Sequence, residues 1–297
     1  MSKRVLISGA AGFIGSALTD RLQSRGDQVV RLTRGSKSDG AVHWDPKAGE
    51  IDSDALEGID AVVHLAGEPI AGLWTKAKKR AVLESRRDGT KLLAEAAATA
   101  SPKPECFVSS SAIGIYGNRG DETLTEDSGV GEGFLADVVE QWEAAAEPAR
   151  AAGIRVVNLR LGLVTAESGG MMGPMKPAFK AGVGGKLGSG EQWWSWVTLD
   201  DVVEAFLFAI DTPAVSGPYN VAAPNPVTNA EFTKQLGKAL HRPTILPAPK
   251  FALKLVAGEM ADEMLLTSQR VDSARLCEAG FEFGDTELAP ALARIFD

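Results

Sequence analysis

Short apolar runs alternate with helical patterns along the first half of the chain. Arg4–Ser8 (RVLIS), Gln28–Leu32 (QVVRL), Ala61–Leu65 (AVVHL), Glu105–Ser109 (ECFVS) and Arg155–Leu159 (RVVNL) are rich in Val, Ile and Leu without clean alternation. That is the pattern of strands buried on both faces of a parallel sheet. Between them, Ser16–Arg25 carries Leu18 and Leu22 on one helical face, and Lys76–Thr99 carries Val82, Leu92, Leu93 and Ala96. Phe134–Ala152 reads as one long helix with Val138, Trp142 and Ala145 aligned. Strands separated by helices imply right-handed crossovers and an α/β, doubly wound sheet. The texture changes over Gly169–Gly190, which is rich in Gly, Met and Lys. Helices are expected over Thr198–Ile210, Asn229–Leu240, Gly258–Leu266 and Ser273–Ala279, and a strand over Pro218–Val221. Prolines make Pro243–Pro249 extended, and Gly280 suits a helix C-cap. The expected organisation is a sheet domain over 1–168 and a smaller lobe over 169–297, with 196–222 packing back on the first.

Composition narrows the classes of function. The chain has 297 residues, 31 Lys plus Arg against 39 Asp plus Glu, and a net charge of -8. Without a long basic run it is not expected to bind nucleic acid. No apolar run approaches the roughly 18 residues of a membrane helix, so no membrane partner is expected. MSKRVLIS runs directly into a glycine turn, and no secretory segment is expected before the fold. Cys106 and Cys277 are the only cysteines, without metal spacing, which points to a reducing, cytoplasmic setting. His43, His64 and His241 form no cluster, so metal binding has no support, and His64 lies in a buried-strand pattern.

Ser8-Gly-Ala-Ala-Gly-Phe-Ile-Gly15 sets Gly9, Gly12 and Gly15 at a strand-to-helix junction. The first glycine permits the tight turn, the second lets backbone approach a pyrophosphate, and the third lets helix pack on strand. The helix start offers free N–H groups to the anion. This context makes the motif a dinucleotide site. At the end of the second strand, where an NAD-type site carries an acid for the ribose 2′-OH, the chain reads Thr33-Arg34. A guanidinium suits a 2′-phosphate, with Ser36 and Lys37 as helpers, so NADP(H) is favoured over NAD(H).

The text GAAGFIG resembles the extended short-chain dehydrogenase/reductase family, a Rossmann-type fold, and further segments agree. These are Asp60 to Gly67 (DAVVHLAG), Ser109 to Ala112 with Tyr116-Gly117, Arg160 to Val164 (RLGLV), and Trp196 to Val202 (WVTLDDV). Glu68-Pro-Ile-Ala71, Ser85-Arg86, Gly184-Gly185, Gln192 and the tail from Gly258 to Phe281 resemble one atypical branch, labelled nucleoside-diphosphate-sugar epimerase, with its own C-terminal segment. The resemblance implies cofactor contacts at Gly9, Ala11, Gly12, Phe13, Ile14 and Gly15, at Leu65, Ala66 and Gly67, and at Ser109, Leu161 and Gly162. Arg86, which stands where the family's helical Asn would be, is a further implied cofactor contact. Homodimerisation through 76–99 and 134–152 is a further implication of the resemblance.

The family's chemistry rests on Ser, Tyr and a Lys four residues after Tyr. Here Leu135 and Val139 stand at about those places, and neither can transfer a proton. Substitutes near the implied nicotinamide are Ser111, Tyr116 and Glu68. Glu68 would act as a base if desolvation raised its pKa. Alternatively, Tyr116 anchors its loop and Glu68 is solvated or paired with Arg86. Two readings stay open: an NADP(H)-dependent epimerase or reductase acting on a nucleotide-sugar-like or other small hydroxyl or carbonyl substrate, and an NADP(H)-binding regulatory protein without ordinary turnover.

Gln192-Trp-Trp-Ser-Trp196 offers aromatic faces and hydrogen bonds to a substrate, and alternation sends Trp194 and Trp196 to one face. Core packing is the competing use of those rings. Lys186, in the glycine-rich stretch, would contact a substrate phosphate or lie on a plain mobile loop.

Overall fold

The buried runs become strands of one sheet because their side chains meet helices on both faces. In the computed structural model, residues 2–35 and 41–297 are described; Ser36 and Lys37 lie outside them. β1 (Arg4–Ser8) leads into α1 (Phe13–Ser24) and β2 (Gln28–Thr33). A hairpin, β3 (Ala41–Asp45) and β4 (Glu50–Ile51), follows, and then β5 (Ala61–His64), α2 (Lys76–Thr99), β6 (Cys106–Ala112) and the short β7 (Thr123–Leu124). Then come α3 (Phe134–Ala144), α4 (Glu147–Ala151), β8 (Arg155–Leu161), β9 (Leu163–Thr165) and α5 (Met172–Lys180). The second half has β10 (Trp193–Trp194), β11 (Trp196–Thr198), α6 (Leu199–Asp211), β12 (Gly217–Val221), β13 (Val227–Thr228) and α7 (Asn229–Ala239). It closes with α8 (Lys250–Ala257), β14 (Arg270–Val271), α9 (Ala274–Glu278) and α10 (Leu288–Phe296).

The main sheet runs β12-β8-β6-β5-β1-β2-β3-β4, parallel except for the β3–β4 pair. Val5, Ile7, Val63 and Val108 face the α1–α6 layer, with Leu18, Phe206 and Ile210. Leu6, Val62 and Phe107 face the opposite layer, with Leu93 and Ala97 of α2. Chain order reverses between β1 and β5, and ligands bind at such a switch point, beyond the carboxyl ends of the strands.

Three differences from the expected elements stand out. The single helix over 134–152 is two helices, because Pro148 has no N–H for the ladder and its ring crowds the preceding turn. The helix expected over 258–266 begins only after a glycine break, Gly258 at φ 58°, and widens to a π-type helix over Ala261–Leu265, in which Leu266 N donates to the Ala261 carbonyl at 2.9 Å. The β3–β4 hairpin and the helices α5, α8 and α10 are additional to the elements the apolar pattern predicts. β12 pairs with β8, so residues 217–221 form the edge of the main sheet.

Candidate functional site

The glycine turn has the shape its sequence implies. Gly9 has φ 74°, and a Cβ there would lie 2.9 Å from Ala66 N. A Cβ on Gly15 would overlap the Gly9 carbonyl. Helix α1 starts at Gly12 with no side-chain cap and no acid in its first turn. The Gly12 N–H goes to the Gly9 carbonyl at 2.9 Å, while the N–H groups that follow have no side-chain cap, so Gly9, Ala11, Gly12, Phe13, Ile14 and Gly15 form a turn that suits a pyrophosphate. Phe13 also meets the second half of the chain, where Gly169 leaves room for its ring: a Cβ there would lie 2.5 Å from Phe13 Cδ2.

Beside the cradle, Ser8 Oγ accepts the N–H groups of Leu65 and Ala66 at 3.2 and 3.3 Å. Ser8 Oγ and His64 Nδ1 are also hydrogen-bonded at 2.6 Å. Burial, with the charge of Arg86, pushes His64 down to about 3, so it is neutral. Arg86 Nη1 donates to the Glu68 and Val82 carbonyls, and its guanidinium stacks 5.0 Å from the Trp142 ring. Burial lowers Arg86 to about 10. Its Cζ would be 3.3 Å from a Cβ on Gly67. Arg34 is exposed at the end of β2. Ser109 is buried with its hydroxyl on the Ser110 carbonyl, while Leu161 and Gly162 close β8.

The three proposed catalytic groups have other partners. Ser111 Oγ donates to Glu143 Oε1 at 2.5 Å. Arg160 clamps the same carboxylate, Nε to Oε1 at 2.9 Å and Nη2 to Oε2 at 2.8 Å, and Nη1 donates to Tyr116 Oη at 3.0 Å. Tyr116 is fully buried, donates to Asn220 Oδ1 at 2.7 Å, and has its pKa raised by burial. It is a loop anchor, which corrects its assignment as an acid–base group. Glu68 is corrected too. Lys78 Nζ lies 2.7 Å from its carboxylate and lowers its pKa, the opposite of what a poised base needs. Its partner is Lys78, with Arg86 holding only its carbonyl.

The tryptophan segment is likewise corrected. Trp194 packs on Phe232, and fully buried Trp196 donates to the Asn225 carbonyl, so both rings are core. Gln192 Nε2 is spent on the Leu187 and Leu265 carbonyls. Lys186 Nζ folds onto the Ser189 carbonyl at 3.0 Å. Lys186 differs from the other three, since it is exposed and this contact uses one of its three N–H donors.

The open volume lies elsewhere. A cavity of about 790 Å³ is walled by Gly114 and Gly117 after β6, Leu135 at the start of α3, and Lys250, Glu263 and Gln269 from the C-terminal segment. Glu263 is a functional candidate the sequence reading missed. Its two carboxylate oxygens accept the N–H groups of Phe134 and Leu135 at 2.8 and 2.9 Å. Gly133 lets it approach, since a Cβ there would lie 2.8 Å from Glu263 Oε1. An acid thus stands against the residue that occupies the family's tyrosine place. Among the described residues no group of side chains suits a metal ion, and no helix is long and apolar enough to cross a membrane.

Residues 5–222 match the NAD dependent epimerase/dehydratase family, and 248–295 match a domain of unknown function, DUF1731. An epimerase family protein of Mycobacterium leprae is 42% identical over 291 residues, covering 97% of this chain and 94% of that protein. The crystal structure of a human epimerase family protein, SDR39U1 (isoform 2) with NADPH, superposes with TM-score 0.90 at 35% identity, covering 98% of each chain. A nucleoside-diphosphate sugar epimerase from Corynebacterium glutamicum gives TM-score 0.83 at 37% identity, covering all of this chain and 58% of that one. The glycine cradle, the sheet order and these likenesses agree: the chain belongs to the NAD dependent epimerase/dehydratase family.

Proposed function

We propose that this protein is an NADP(H)-dependent epimerase or reductase acting on a small hydroxyl or carbonyl compound, of which a nucleotide sugar is one form. The observation that carries the reading is the Glu263 carboxylate. It lines the cavity and is fixed by two backbone N–H groups at the place where the family's proton-transferring side chain would start. Bound nicotinamide supplies or accepts the hydride. Glu263, as a carboxylate, takes the proton from the substrate hydroxyl as the carbonyl forms, and returns it in the reverse direction. The Ser111–Glu143–Arg160 array holds the end of β6 in place. NADPH in the human relative supports the choice of cofactor.

A second reading, NADP(H) binding without ordinary turnover, is favoured by Leu135 and Val139, which cannot move a proton, and by the burial of Ser111. Single-turnover absorbance of the reduced nicotinamide, across nucleotide sugars and small carbonyls, separates the two. Turnover by the wild type, lost in Glu263→Gln with NADPH binding kept, supports the enzyme. Ligands that bind without any absorbance change select the second reading. For the cofactor, Arg34→Ala is expected to weaken NADPH about tenfold or more while sparing NADH, as loss of a charge-assisted phosphate contact would. Equal losses would sink the 2′-phosphate assignment.

A further inference from the structure

Lys47 sits in the turn of the β3–β4 hairpin. β3 runs parallel to β2 with Thr33 opposite His43, so Asp45 extends two residues past the end of β2, on the edge where Arg34 emerges. The turn after it is stiff. Asp45 Oδ1 accepts the N–H of Lys47 at 2.9 Å and of Ala48 at 3.4 Å, and Gly49 turns the chain at φ 71°. The hairpin is also anchored beneath. Trp44 is 3% exposed and meets the His64 ring edge-on at 6.0 Å. Gly89 of α2 leaves room for Pro46, whose Cβ would be 3.8 Å from a Cβ there.

The side chain on this stiff turn is an exposed ammonium. Neither Lys47 nor Arg34 has a carboxylate partner among the described residues. Both lie close enough to Glu68 for their charges to act on its carboxylate, behind the direct contact from Lys78. Three cations thus face one carboxylate on the cofactor edge, in a chain whose net charge is -8. A local excess of this kind attracts a dianion.

We infer that Lys47, carried by the β3–β4 hairpin, is a second cation for the cofactor's 2′-phosphate and a determinant of NADP(H) over NAD(H). The inference rests on the NADP(H) reading above. Arg34 offers a planar fork, and Lys47 a flexible point charge from the neighbouring strand.

Dissociation constants for NADPH and NADH, measured by titration calorimetry on the full chain, test it. Lys47→Ala is expected to weaken NADPH about tenfold and leave NADH unchanged. Lys47→Glu is expected to weaken NADPH further, and Lys47→Arg to keep most of the affinity. Competition by 2′,5′-ADP should fall with NADPH, and competition by 5′-AMP should not. A Lys47→Ala variant that keeps the wild-type NADPH-to-NADH ratio overturns the role of Lys47 alone. A wild type that binds NADPH and NADH equally overturns the NADP(H) reading and this inference with it, and needs no variant to be seen.

Discussion

Glu143→Leu is expected to cost about 3–5 kcal/mol of stability, because it leaves Arg160 as an uncompensated buried charge. The two side chains are 13% and 8% exposed, and Arg160 meets Glu143 through two parallel hydrogen bonds. The same substitution strips Ser111 Oγ of its acceptor and removes the brace behind Tyr116. Urea denaturation read by tryptophan fluorescence measures the loss. The double variant Glu143→Leu/Arg160→Met is expected to recover much of it, since a hydrophobic replacement of a whole buried pair is often near neutral. A single variant within about 1 kcal/mol of wild type would show that the array is only peripheral.

Gly15→Ala is expected to cost about 3 kcal/mol, at the upper end of overpacking effects, because the new Cβ meets backbone that cannot rotate away. It would overlap the Gly9 carbonyl, which also accepts the Gly12 N–H at 2.9 Å and so shapes the turn. Cofactor affinity should fall with the turn, by about a hundredfold for that energy. Calorimetry of NADPH binding beside a thermal melt checks both effects. Unchanged affinity would mean that the turn does not cradle the pyrophosphate.

The parts of the site legible in the sequence are those with local causes. The glycine spacing reads directly because Gly12 and Gly15 answer to Gly9 itself, a few residues away. Helix α2 was read to its ends, Lys76 and Thr99, because its apolar period is long and Thr75 caps it through the Lys78 N–H. The strands β1, β2, β5, β6 and β8 were found to within a few residues, since burial on both faces leaves unbroken apolar runs. The β3–β4 hairpin was missed because Ala41–Asp45 has only Trp44 buried, which gives no run to recognise. The tryptophan segment misled for another reason. Indole serves equally as core and as a stacking face, and only the presence of Phe232 opposite Trp194 decides between them.

By itself the sequence determined the fold class, the dinucleotide turn and the absence of a Tyr-x-x-x-Lys pair, because these depend on residue type and on spacings within one or two elements. The tertiary structure alone decided which polar groups remain free to act. Glu263 reaches the start of α3 from 129 positions away, Tyr116 finds Asn220 across 104, and Lys78 claims Glu68 across a loop. Hydrogen bonds and ion pairs act over a few ångströms, so the role of an ionisable side chain follows from the neighbours that folding gives it, and no local pattern in the chain records those neighbours.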